Sequence, residues 1–369
     1  VGMGHVALYY NTGSNNIGIG VNALTTNTTG KLNTAVGEQA LANNTTQDKL
    51  TALGYRAGHF WTAGDENTFI GYNSGFGSAA ASTGYENTFV GSLTGASSSG
   101  ITGLRNTALG RYNLFNITSG SDNVAIGHQS LITLTTGDFN VAVGKDTMSS
   151  YTGSKNTALG FEAGKSINSD GENVFVGYQS GKLRTAGIDN VFIGASAGYS
   201  VGTGCCNTAI GRASGYTLGS GVQNTFVGRQ AGYSCESSGN NVMIGHNAGI
   251  FNTGTNNTFI GSGTGNQSGS VDSGTQNILL GFNTNTSALA DSYSIVISSD
   301  QDNGRGSSTC LIAPNGGNVF QDNNNSTWAQ TSDERIKKNI VDNNIGLEVI
   351  NKIQIRNFEY RTEDEITDF

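Results

Sequence analysis

The chain has 369 residues, with 55 glycines, a single proline (Pro314), 12% charged residues and a formal net charge of −8. No basic run precedes residue 335 and no stretch of about 18 apolar residues exists, which excludes nucleic acid as the partner and insertion into a membrane as readings of this sequence. Glycine does not recur every third residue, so collagen is excluded, and Ile, Val or Leu hold one phase too persistently for a disordered low-complexity chain.

That phase belongs to a repeat, whose clearest copy is Asn224-Thr225-Phe226-Val227-Gly228-Arg229-Gln230-Ala231-Gly232. The Gly that closes "NTFVG" returns from Gly4, Gly20 and Gly37 through to Gly245, Gly261 and Gly281. Most gaps are 17 residues, a few are 16 and three are 19 or 20, and a worn copy follows at Ser294–Ser298. A fixed period with insertions at one place signals stacked coils. Each copy starts with Asn, then a β-branched residue, then Ala or a larger apolar residue, then Ile, Val or Leu, then Gly; this is a five-residue strand by composition. Alternation places Thr225 and Val227 on one face and Asn224, Phe226 and Gly228 on the other. Both faces carry apolar residues, and such a strand expects cover on both sides.

The remaining residues supply corners. A small residue lies three positions after the strand Gly (Ala57, Ser74, Ala231), followed by Gly (Gly58, Gly75, Gly232) or by Leu24, Leu41, Leu114, Leu131 or Met148. Another Gly usually lies three residues before the next Asn (Gly64, Gly103, Gly221). These glycines fit positive φ or close backbone approach. The sequence predicts an all-β solenoid or β-roll over 1–298, each coil with two short strands and two tight corners. Coils stacked at ~4.8 Å extend roughly 80 Å from Gly4 to Ser298. The recurring Asn, stacked on its own copies, has an amide that bonds along the pile; an Asn of a turn is the other reading.

Sites along the repeats are few. Cys205 and Cys206 are adjacent, while Cys235 and Cys310 lie apart, so neither zinc spacing nor a redox motif is present and the thiols read as free. His5, His128 and His246 each follow a strand Gly, seven coils apart, which keeps them from sharing a metal; no cofactor is called for. Tyr199, Tyr216 and Tyr233 lie 17 apart and form either a packed corner or a glycan-binding strip. Glu66, Glu86, Asp122, Glu172 and Asp189 precede the strand Asn, but Arg105 and Lys155 share their row, which reads as a solvated, partly neutralised edge rather than a glycosidase pair or calcium site.

After Ser298 the repeat fades, and 299–331 forms a connector with candidate strands at Cys310–Ala313 and Asn318–Gln321. From Ser332 the composition changes: the last 38 residues hold 15 charged groups, against 31 in the preceding 331. Leu347, Ile350 and Ile353 space like one face of a short helix, and Ile355, Phe358 and Tyr360 like a following strand. The chain starts in mid-repeat at Val1 and stops at Phe369 inside this segment, as a piece of a longer protein does.

"TSDERIKKNI" (Thr331 to Ile340) with "LEVINKIQIRNFEYR" (Leu347 to Arg361) resembles the start of the intramolecular chaperone domain of phage tail fibres and endosialidase tailspikes. The resemblance covers about a tenth of the chain. It implies a trimer at the end of a β-rich fibre and self-cleavage between Thr331 and Ser332, with Ser332 as nucleophile and Lys337 as its base. A Ser hydroxyl requires such a base, and Lys serves when desolvation lowers its pKa. Read without the resemblance, Ser332 is a helix cap and Lys337 a surface charge. The repeats also resemble the β-roll heads of trimeric autotransporter adhesins, which stack short coils of a different length.

The expectation is therefore a homotrimeric tail-fibre shaft in a virion, made in the host cytoplasm. It would join other virion tail proteins, touch a host-surface receptor of glycan type, and carry a C-terminal domain that is a Ser-Lys self-cleaving peptidase when complete. A trimeric cell-surface adhesin is the alternative. An ice-binding solenoid is prompted by Thr34, Thr51, Thr68, Thr88 and Thr107 but interrupted by Val124 and Val141, and a polysaccharide-cleaving tailspike lacks a carboxylate cluster.

Overall fold

Each intact copy of the repeat folds into a strand that pairs, parallel and in register, with the copies before and after it. Thr225–Val227 lies between Thr208–Ile210 and Val242–Ile244, with Phe226 opposite Ala209 on one side and Met243 on the other. The computed structural model describes residues 1–77, 82–167, 171–184, 186–266, 272–314, 317–322 and 327–330. Two units divide the chain, Val1–Ala329 and Gln330–Phe369. The first is a parallel β-solenoid whose main sheet runs from Gly2–Met3 to Cys310–Ala313, where Val319–Gln321 turns back antiparallel. Thr331, Ser332 and Lys337 lie outside the described residues, as do the helix expected near Leu347 and the strand after it.

The strands are shorter than composition suggests. Most span three residues, and five-residue strands occur at Thr107–Arg111, Val124–His128 and Val141–Lys145. The strand Gly ends the extended run, since Gly228 has φ 135 and the same conformation recurs from Gly4 to Gly281. An L-residue rarely adopts that φ, and a Cβ on Gly228 would strike the carbonyl of Gly245 in the next coil. Among the described residues, the second strand expected in every coil forms in only part of the stack. Five short strands, from Ser150–Tyr151 to Thr217–Gly219, make a second parallel sheet. In the coil of Asn224, Gln230 (φ 57), Gly232 (φ 57) and Asn240 (φ 57) all bend the chain, which leaves little extended backbone on the far side.

The core is a column of strand-centre residues, with Ala35, Phe69, Ala125, Phe192 and Phe226 all fully buried. Beside it runs the corner position four residues after the strand Gly, held by Leu or Gly in the same left-handed conformation: Leu41 (φ 49), Leu131 (φ 52), Gly198 (φ 55), Gly232 (φ 57). Conformation therefore does not decide between them, and volume does. Where the strand centre is Ala35, Ala108, Ala125 or Ala142, the corner is Leu41, Leu114, Leu131 or Met148. Where the centre is Phe226, a Cβ at corner Gly232 would sit 2.6 Å from the ring. Large against small keeps each layer filled without strain.

The repeated Asn faces inward and is saturated. Asn224 Oδ1 accepts from the backbone N of Asn241 at 3.0 Å and from its Nδ2 at 3.1 Å, while Asn224 Nδ2 donates to Asn207 Oδ1 at 3.0 Å and to the Ser238 carbonyl at 2.9 Å. An unpaired buried amide costs about 1–3 kcal/mol. Leu50 replaces one Asn, and there Asn33 Oδ1 keeps only the backbone bond, at 2.8 Å. At the end of the ladder Ser294 takes the place, its backbone N donating to Asn277 Oδ1 at 2.9 Å.

Candidate functional site

Two surfaces follow from this geometry. The first is the outward face of the main sheet. Residues on either side of each buried centre point outward, forming one column of Thr, Val and Ile and a second of Ile, Val and Leu. The second column is half open to solvent, with Leu53 and Leu109 at 48% and Ile193 at 37% exposure. It runs through Ile19, Leu53, Leu109, Leu159, Ile193, Ile210, Ile244, Ile260 and Ile297 without a charged residue. Parallel pairing in register makes this stripe continuous, since each rung places the same side chain above its predecessor.

The second surface is the corner after the strand. Tyr199, Tyr216 and Tyr233 stack as one pile, with ring centroids 4.8 and 4.9 Å apart and planes within 1° and 6° of parallel. Lys182 covers the outer face of Tyr199, its Nζ 5.7 Å from the ring centre and held at 2.7 Å by Glu162. Both faces of Tyr216 are thus covered by its neighbours, so the pile offers edges and hydroxyls rather than ring faces to a sugar. Burial, and then the adjoining phenols, push the Tyr216 hydroxyl above its usual pKa.

Sequence reasoning noted that His246 follows a strand Gly but did not pick out Arg212 and Arg229 beside the pile. The position directly after the strand Gly carries Arg212, Arg229 and His246 in successive coils, and reading that position down the repeats reveals them. Arg229 Nη1 lies 2.9 Å from His246 Nε2, so the imidazole accepts there. A cleft of about 200 Å³ opens between this column and the tyrosines, lined by Ser196, Arg212, Ala213, Tyr216, Arg229, Gln230 and Tyr233.

The acidic row before the strand Asn is largely paired along the stack. Lys49 meets Glu66, Arg105 meets Asp122 at 2.6 Å and Lys155 meets Glu172 at 3.0 Å, each one coil apart. Arg105 holds the Asp122 carboxyl below its ordinary range, and Lys155 does the same for Glu172. Glu66 and Glu86 border a cleft of about 310 Å³ with Gly64, Asp65 and Tyr85. Among the described residues no group of three or more His, Cys, Asp or Glu side chains is placed to hold a metal ion. Cys205 and Cys206 approach to 3.2 Å between sulfurs, and burial pushes the Cys235 thiol up to about 12. Ser332 and Lys337 are not brought into this picture, since both fall outside the described residues. Comparison with protein-family models, curated proteins and solved structures found no match to this chain.

Proposed function

We infer that the chain is a structural and adhesive shaft, the distal part of a trimeric phage tail fibre that carries a self-removing chaperone at its C-terminal end. The observation that carries this reading is the uninterrupted outward apolar stripe from Ile19 to Ile297. Contiguous exposed apolar surface of this extent marks an interaction site in a soluble protein. Its period is that of the coil, so a second and third copy in the same register match it rung for rung, and three chains about an axis cover all three stripes. The Ile, Val and Leu column beside the Thr row favours burial over an ice-binding plane, where Thr would fill both columns.

The string from Thr331 to Ile340 supports the chaperone half. Ser332 Oγ attacks the carbonyl carbon of Thr331 while neutral Lys337 takes the hydroxyl proton. The resulting ester, with the Ser332 amine freed, is then opened by water. Assembly supplies the dehydrated pocket that keeps Lys337 neutral, so cutting follows folding. Light scattering on the purified chain is expected to give three chains per particle. A stable, soluble monomer removes the reading. In a chain carrying the whole domain, Ser332→Ala and Lys337→Ala are expected to leave uncut but folded trimers, and cutting that persists in Ser332→Ala removes Ser332 from the mechanism.

A further inference from the structure

We propose that the cleft between Arg212, Arg229 and the Tyr216–Tyr233 pile binds a carboxylate-bearing saccharide, with the two guanidiniums holding the carboxylate. The proposal deepens the adhesive part of the reading above and rests on it for its setting.

Arg212 and Arg229 occupy one register position in consecutive coils, so their backbones stand about 4.8 Å apart. Two like charges at that spacing repel, and neither guanidinium joins an ion pair among the described residues. The same column contains an earlier basic run, Arg111, His128 and Lys145, and the comparison is instructive. There Lys145 is held by Asp146 at 2.6 Å and Arg111 lies over the ring of Tyr112, 4.7 Å from its centre. The later run has no carboxylate in its lining, although the chain as a whole is acidic. Arg229 uses Nη1 on His246 Nε2 at 2.9 Å, but both guanidiniums line the cleft, and their remaining N–H donors fit a planar oxyanion.

The shape of the cleft comes from the position after the Arg column. Gln179 and Gln230 are long, but Ser196 and Ala213 between them are short, and the gap spans two coils. On its Tyr199 side the corner is closed by Glu162, which binds Lys165 at 2.6 Å, Lys182 at 2.7 Å and Gln179 at 2.8 Å. Its other lining groups are the Ser196 hydroxyl, the Gln230 amide and the phenols of Tyr216 and Tyr233, which suit a ligand rich in hydroxyls. Ala213 is the one small apolar surface, so an apolar anchor has no seat. About 200 Å³ accommodates one sugar ring rather than a larger ligand.

The test is calorimetric titration of the full chain with trigalacturonate, with a neutral trigalactoside and with sodium sulfate. Trigalacturonate is expected to bind and the neutral sugar not to. Arg212→Gln and Arg229→Gln are each expected to weaken binding roughly 10- to 100-fold, as loss of a hydrogen bond to a charged group does. Lys31→Gln, a remote exposed cation, is expected to leave binding unchanged. Undiminished binding by the Arg212→Gln/Arg229→Gln double variant overturns the proposal, as does equal binding of the neutral sugar. Sulfate binding as tightly as trigalacturonate overturns the saccharide assignment. Tyr216→Phe, which keeps the pile and removes one hydroxyl, guards against loss of fold and is expected to weaken binding several-fold; unchanged affinity in a folded Tyr216→Phe removes the phenol from the site. Light scattering on the same samples reports the number of chains independently, so failure of the shaft reading and failure of the cleft are told apart.

Discussion

The coils between Asn106 and Met148 and those between Asn173 and Gly265 share a left-handed corner after the strand but have opposite cores. In the first stretch the strand centres are Ala108, Ala125 and Ala142 and the corners Leu114, Leu131 and Met148. In the second, Phe175, Phe192, Phe226 and Phe259 fill the centre while Gly181, Gly198, Gly232 and Gly265 leave room at the corner. Two pairings of Ala with Gly follow the same rule across coils. Gly58 accompanies Ala52 and Gly215 accompanies Ala209, and each gap takes the edge of a Phe from the next coil, Phe69 at 2.6 Å and Phe226 at 3.1 Å from where a Cβ would lie. A left-handed corner is thus a fixed feature of the coil, and the residue that occupies it is chosen by the volume left over by its neighbour.

Exchanging the two solutions is the strongest way to break this comparison. Phe226→Ala should cost ~3–5 kcal/mol by leaving a cavity, and Gly232→Leu should cost about 1–3 kcal/mol by overpacking against the ring. The double variant reproduces the pairing of Ala125 with Leu131, and urea denaturation should find it much more stable than the sum of the two losses predicts. Additive losses would show that the corner glycines answer to something other than volume. Leu131→Gly, in the Ala stretch, should cost ~2–5 kcal/mol with no compensating neighbour.

Two carboxylates flanking the Phe stretch sharpen the comparison by pH. Glu162 is held down to about 2 by hydrogen bonds from Lys165 and Lys182, joined by Gln179. Its contribution is present above the ordinary carboxylate pKa and is lost as pH falls towards 2. Asp272 behaves oppositely. It is buried, burial pushes its carboxyl up to about 6, and Oδ2 has no hydrogen-bond partner among the described residues, while Oδ1 accepts from Gly274 N at 3.0 Å. Stability from its protonated form is complete below about pH 4 and is lost as pH rises through about 6. Thermal melts should therefore show Glu162→Gln destabilised at pH 7 but close to the parent near pH 2, and Asp272→Asn stabilised at pH 7 but close to the parent near pH 4. Parallel pH profiles for Asp272→Asn and the parent would exclude Asp272 as the titrating group. At the other end of the solenoid the same inward column carries Asn27, whose Nδ2 reaches Asn11 Oδ1, which is the kind of bond that Asn at 272 is expected to make with Asn252.

The tyrosine pile gives the smallest effect. Its rings add about 0.5–1.5 kcal/mol per stacked pair, so Tyr199→Ala/Tyr216→Ala/Tyr233→Ala should lower the melting temperature by several degrees. Adsorption to host cells should change less than it does in Arg212→Gln/Arg229→Gln. The reverse ranking would make the rings themselves the binding strip.

Much of the solenoid was legible from the residues alone. The 17-residue period, the sharing of one face by Asn224 and Phe226 and of the other by Thr225 and Val227, and the Asn ladder as one of two readings all follow from alternation along a strand and repetition along a stack. Which face turns inward came only from the structure. The corner cleft was harder to see, because Arg212 and Arg229 are ordinary surface residues until the coil places them one rung apart. Ser332 and Lys337 were legible only through the string around them, and the described residues do not include them.

The sequence by itself determined that the chain coils, because a fixed period with Gly at one phase from Gly4 to Gly281 signals stacking. Tertiary structure alone decided how each coil closes. Leu41 and Gly232 share one left-handed conformation, so local propensity does not separate them; the ring of Phe226 does. It also decided where second strands form, since that depends on backbone left extended after three bends, and which cations meet a carboxylate. Lys49, Arg105 and Lys155 find one a coil away, while Arg212 and Arg229 form no ion pair among the described residues and Arg229 meets His246 instead. Those outcomes depend on what the neighbouring coil presents at 4.8 Å, and that distance exists only once the chain has stacked.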